Sequence, residues 1–178
     1  TNHFHHRWPW PTEWLRLRIY AIRGNIRPGA FFRGICDLMP NGVTMTIVAY
    51  KENHAFTQLW EQQECPDGGT RDLGKYLLIW KKEYPSARQY DFKVLWPTLQ
   101  EIANFIEDQG HDIPYCEHVF VYDRDLMLLS FQDLFWGGEI HLSRTLAKPL
   151  VVAFAKGIGG TYNLIANPWK TGGRNGVR

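Results

Sequence analysis

Cysteine is scarce in this chain: there are three in 178 residues, Cys36, Cys65 and Cys116, an odd number without metal-site spacing. That excludes a disulfide-stapled secreted module and a zinc ribbon, and it predicts a reduced, cytoplasmic protein. Long apolar runs are also missing. None approaches the roughly 20 residues that cross a bilayer, so no membrane insertion is expected. The first residues show no charged-then-apolar signal pattern. Acid is absent altogether from Ile140 to the C-terminus. His3, His5 and His6 lie too close to a terminus to count as a metal site, and none is assigned.

What is present is apolar and aromatic. Hydrophobic residues make up 44% of the chain and aromatics 15%, with eight tryptophans. Such a composition supports a packed globule and argues against disorder. The length suits a single domain over residues 1–178, large enough to bury a core without staples. A glycine-rich basic tail from about residue 170 is expected to be mobile.

The overall charge of +2 conceals a strong asymmetry. Residues 1–35 carry six arginines, Arg7, Arg16, Arg18, Arg23, Arg27 and Arg33, against Glu13 alone. Residues 140–178 add Arg144, Lys148, Lys156, Lys170, Arg174 and Arg178 without any acid. Nets of +5 and +6 at the two ends leave −9 for the middle. If the ends meet in space they form a basic face that attracts phosphates, opposite an acidic one. Arg16, Arg18 and Arg174 are the DNA-binding candidates on this ground.

The hydrophobic pattern predicts an α+β domain with a mixed sheet and a few helices. Leu15 to Ile19 alternates apolar and basic residues as a half-buried strand does. Phe31 to Cys36 and Val43 to Tyr50 read as further strands, with Asn41-Gly42 as a turn between them. Glu52 to Glu64 reads as a helix whose Ala55, Phe56, Leu59 and Trp60 form one apolar stripe. Leu77–Trp80 and Phe92–Trp96 are short strand candidates. Pro97 opens a second helix in which Leu99, Ile102, Ala103 and Ile106 keep helical spacing up to Gly110. His118–Tyr122 and Leu126–Phe131 flank Asp123-Arg124-Asp125 as a hairpin, with a helix over the second run as the alternative; the two aspartates are better read as turn residues than as cation ligands. Glu139–Leu142 adds a strand.

Leu150 to Phe154 reads as a strand that runs into Lys156, Gly157, Gly159, Gly160 and Thr161, with a helix starting after it. A strand, a glycine loop and a helix N-terminus together present free N–H groups to phosphate. These residues, with Arg144 upstream, are the phosphate candidates, although the nucleotide signature with Lys and Ser/Thr after the last glycine is absent. Gly68-Gly69-Thr70-Arg71 is a rival glycine loop. Glu139 and His141 fall on one side of a strand and are the catalytic candidates, as an acid–base pair on a phosphoryl substrate.

Two segments resemble the plasmid fertility inhibition factors. Phe56-Thr57-Gln58-Leu59-Trp60, after an apolar run ending near Tyr50, looks like that family's strand-then-helix opening. Phe154, Gly157, Ile158, Thr161 and Leu164 follow its C-terminal spacing, and Arg144 and Pro149 fit just upstream. The match covers about a tenth of the chain. The resemblance implies a ParB/sulfiredoxin-like fold, with nucleotide (ATP) and a divalent cation such as Mg at a glycine-containing loop. It implies a bacterial, cytoplasmic inhibitor of conjugative and T-DNA transfer, acting on DNA and a type IV secretion coupling protein. A primary ATPase or DNase activity, or simple nucleic-acid binding, are the alternatives. Gly159-Gly160 is followed by Thr161-Tyr162-Asn163 where sulfiredoxin has Cys-His-Arg, so the resemblance does not extend to thiol chemistry.

Overall fold

The computed structural model describes residues 14, 18–50, 53–65, 85–109, 116–124, 126–131 and 139–165. They form an α+β unit of seven strands and four helices. In chain order these are β1 (Ile19–Gly24), α1 (Pro28–Leu38), β2 (Thr44–Ala49), α2 (His54–Gln63), β3 (Arg88–Lys93), α3 (Trp96–Asp108), β4 (Cys116–Asp123), β5 (Leu126–Phe131), β6 (Ile140–Leu142), α4 (Lys148–Ile158) and β7 (Gly160–Ile165). The sheet order is β3-β2-β4-β5-β6-β1-β7.

Every strand pair is antiparallel, which corrects the expected mixed sheet. β2 and β3 show why: α2 and residues 64–87 lie between them, enough chain to return from either end of the sheet.

The buried residues of all four helices share one core cluster with alternate residues of the strands, such as Ile22, Met45, Ile47, Phe92, Val119, Val121 and Leu142. Trp60 lies at its centre, parallel to Phe92 at 6.5 Å and against Phe32 at 6.1 Å. The other sheet face holds a smaller cluster of Trp14, Ile19, Val48, Phe120, Tyr122 and Met127.

Several elements lie where the pattern puts them. Asn53 caps α2, its side chain accepting from the Phe56 N–H at 3.2 Å, and Phe56, Leu59 and Trp60 are buried. Leu99, Ile102, Ala103 and Ile106 form the inner stripe of α3, which starts at Trp96 with Pro97 in its first turn and ends at Asp108. β2 matches its apolar run, and β4–β5 is the expected hairpin, with Arg124 at φ 54° in its turn.

Two apolar runs expected as strands are helices. Phe31–Cys36 lies in α1, where Phe31, Phe32, Ile35 and Leu38 keep helical spacing behind Pro28. Leu150–Phe154 lies in α4, where Val151, Phe154, Ala155 and Ile158 do the same behind Pro149. A short, continuously apolar run fits either structure; the proline at the first helical turn decides. Of the expected Leu15–Ile19 strand, residues 15–17 lie outside the described residues, and β1 starts at Ile19. Leu77–Trp80, Gly68–Arg71, Gly110, Asp125 and the tail from 170 lie outside the described residues.

Candidate nucleic-acid interface

β1 and β7 carry the two basic ends of the chain, and they are neighbours. They pair over their full length, from Ile19 with Ile165 to Gly24 with Gly160. β1 also pairs with β6, so residues 19–24 lie between two segments from the acid-poor C-terminal quarter.

Glycine permits this closure. Gly24 has φ 144°, and a Cβ there would stand 2.8 Å from the Gly159 carbonyl oxygen. A Cβ on Gly160 would meet Ile22 at 2.6 Å and the Arg23 carbonyl oxygen at 3.1 Å. Gly159 is the left-handed residue that ends α4, the usual place for glycine after a helix. The glycines of 157–160 thus end a helix and admit β1, and the order strand–loop–helix is reversed here.

That reversal removes the basis of the phosphate loop at Lys156, Gly157, Gly159, Gly160 and Thr161. The helix end at these residues offers carbonyl oxygens and the negative end of the macrodipole, which repel an anion. Arg27 occupies that end instead. Its backbone N–H donates to the Ile158 carbonyl at 3.2 Å, and its Nη2 donates to the Gly157 carbonyl at 2.8 Å. Lys156, in the last turn, complements the same dipole. The opposite end of α4 starts at Lys148 and Pro149, where proline supplies no N–H and the Leu150 and Val151 N–H groups donate to the Ala147 carbonyl at 3.0 and 3.2 Å; Arg144 precedes it by a few residues.

Arg144 places its guanidinium 5.7 Å from the Tyr20 ring centroid and is exposed, as are Lys148, Lys156 and Arg18. Arg23 donates from Nε to Glu139 Oε2. Among the described residues 18–28 and 139–165 there are six cations, Arg18, Arg23, Arg27, Arg144, Lys148 and Lys156, and one carboxylate, Glu139. Arg16 and Arg174 lie outside the described residues.

Glu139 and His141 do share a sheet face. His141 Nε2 lies 2.7 Å from Glu139 Oε1, and both side chains are largely buried. Burial, reinforced by the nearby Arg23 charge, pushes the His141 pKa down to about 3. His141 is therefore neutral at pH 7, so its Nε2–H donates to a Glu139 carboxylate whose charge is matched by Arg23. Directly opposed residues continue the row across the sheet: Asp91, Thr46, Phe120, Ser130, His141, Ala21 and Asn163. At the far end, burial raises the pKa of Asp91 against the opposing effect of hydrogen bonds from Thr46 and Gln89.

Arg23, Arg27 and Tyr20 are the members of this region that motif reading missed. Glu139 is 116 residues from Arg23 and Gly157 is 130 from Arg27, so no local pattern connects them. Only the count of arginines in the first 35 residues signalled their part.

Among the described residues no group of His, Cys, Asp and Glu is arranged to hold a metal, and no helix is long and apolar enough to cross a membrane. No family model, curated protein or solved structure matches the chain.

Proposed function

We propose that this chain is a DNA-binding protein that engages the phosphate backbone through the β1–β7–α4 edge. As the resemblance of its sequence implies, it acts as an inhibitor of conjugative and T-DNA transfer with a ParB/sulfiredoxin-like fold. One observation carries the reading: β1 pairs with β7 along its whole length, so two segments from opposite ends of the chain, with six cations and one acid between them, are brought to one edge of the sheet. Such a surface binds without regard to sequence, because phosphates carry no base information. Arg144 and Lys148 stand closest to the N-terminal end of α4, where the positive end of the helix dipole adds to the side-chain charge. The acidic middle of the chain is left to meet a protein, the coupling protein in this reading.

The test is fluorescence anisotropy with a labelled duplex over a salt series. The logarithm of the affinity should fall linearly with the logarithm of salt, and replacing Arg144, Lys148 and Lys156 by Glu should abolish most of the binding. Salt-independent binding, or an unchanged affinity in the folded triple variant, would sink the reading. Expression of the same variant in donor cells, with transfer frequency as the readout, tests the inhibitory role separately.

A second reading rests on the His141–Glu139 hydrogen bond beside Ser130: a phosphohydrolase or nuclease whose Glu139 carboxylate, oriented by the neutral imidazole, takes a proton. ATP and plasmid DNA incubated with the protein and Mg distinguish it, since binding alone leaves both intact.

A further inference from the structure

A groove of about 410 Å³ lies between α1, α4 and the start of α3. Its buried base is apolar, formed by Leu38, Phe154 and Ile158. Its rim carries two of the most exposed large apolar side chains among the described residues, Trp96 at 54% and Leu150 at 44%. Gly34 lets the Phe154 ring pack against α1, where a Cβ would stand 2.8 Å from it, and a Cβ on Gly157 would meet nothing within 4 Å. Beside it is a shallower depression lined by Cys36, Asp37, Met39, Asn41, Val94 and Trp96. Asp37 and Trp96 border both hollows.

The charges at the groove are not equivalent. Arg33 is committed to α3: its Nη2 donates to Glu107 Oε2 and to Asn104 Oδ1, each at 2.7 Å, and its Nε donates to Glu107 Oε1 at 3.3 Å. Asp37 is exposed and makes no ion pair or hydrogen bond among the described residues. The uncommitted charge is thus a single carboxylate next to an exposed indole. A carboxylate beside an aromatic face attracts a cationic side chain, through the ring as well as the charge. It repels a phosphate.

We propose that this groove docks a protein segment that presents a Lys or Arg to Asp37 and Trp96 and lays apolar side chains over Phe154 and Ile158. An amphipathic helix with apolar residues at i, i+3 or i+4 and i+7 and a basic flank has this chemistry. α4 lends Leu150, Phe154 and Ile158 to the groove and Lys148 and Lys156 to the basic edge, so a peptide in the groove lies beside the DNA surface.

The probe is a fluorescein-labelled Leu/Lys amphipathic peptide of about 16 residues, compared by anisotropy with its Leu/Glu counterpart on the full chain. The Leu/Lys peptide should bind, and the Leu/Glu peptide should bind at least about tenfold more weakly. Trp96→Ala should weaken the Leu/Lys peptide about tenfold, and Asp37→Lys should weaken it while improving the Leu/Glu peptide. Both positions are exposed, and unchanged circular dichroism and melting temperature confirm that the variants fold. Equal binding of the two peptides, or affinities within twofold of wild type in both variants, overturns the proposal. So does a dimer in sedimentation that Trp96→Ala dissociates, since the occupant is then a second copy of this chain.

Discussion

The two edges of the sheet differ more from each other than either differs from the chain average. The β1–β7–α4 side is basic, is closed by glycines and uses its arginines to satisfy carbonyls and one carboxylate. The β3–α2–α3 side carries Glu61, Glu64, Asp91, Glu101, Glu107 and Asp108 against Arg88 and Lys93, and it packs aromatic rings around Trp60. There Arg88 meets Glu64 at 2.8 Å and lies over the Tyr90 ring at 4.5 Å, and Glu107 pairs with Arg33 of α1. One edge spends its contacts on joining distant segments, the other on filling volume. Sheet order is the cause, because the first and last strands lie together at one edge and β3, from the acidic middle, takes the other.

If this contrast is correct, the greatest loss of stability lies on the aromatic side. Phe56 is fully buried, packs edge-on to Phe105 at 5.1 Å and lies near Trp60. Phe56→Ala should cost about 3–5 kcal/mol in denaturant titration, without altering DNA affinity at a salt concentration where the variant is folded. The basic edge should respond in the opposite way. Arg144→Glu with Lys148→Glu should lower DNA affinity about a hundredfold and flatten its salt slope, while the melting temperature moves little. Equal losses from Lys93→Glu, on the other edge, would erase the distinction.

Glycine substitutions sharpen it on a smaller scale. Gly24→Ala puts a methyl against the Gly159 carbonyl at a φ that side chains rarely adopt, and it should destabilise by about 1–3 kcal/mol. Gly157→Ala adds a methyl to open space inside a helix, and it should stabilise by about 0.5–1 kcal/mol. A thermal melt of the pair reads both, and opposite signs are the expected outcome.

Acid should act on the two ends of the polar row in opposite directions. His141 has its folded pKa depressed to about 3, from an ordinary 6.5. The unfolded chain therefore binds the proton first, and stability falls as pH drops through that window, by up to about 1.4 kcal/mol per pH unit. Asp91 has its folded pKa raised. The folded chain then binds the proton first, so its contribution grows as pH falls toward the ordinary carboxylate range and is lost as pH rises through the raised value. Denaturation midpoints from pH 4 to 7 should flatten in His141→Gln; a parallel curve would show that the imidazole is not buried neutral.

Much of this was legible from residue order. α2 and α3 announced themselves through four apolar positions each at helical spacing, with Pro97 opening α3. β2, β4 and β5 did so through bounded apolar runs. Glu139 and His141 were placed on one face by strand alternation alone. The glycine loop was misread because Leu150–Phe154 is apolar at every position, so its period carries no information, and Pro149 was the clue that outweighed it. The all-antiparallel sheet was not legible, since strand direction depends on where long connections return.

By itself, then, the sequence determined the α+β class, the inner faces of α2 and α3, and the charge carried by each segment, because these depend on neighbours within a few residues. Only the tertiary structure decided that the basic ends are adjacent strands, that Arg23 meets Glu139 and Arg27 caps α4, and that Asp37 and Trp96 border one groove. Those contacts join residues up to 130 apart, and no local periodicity encodes a register between strands so far separated in the chain.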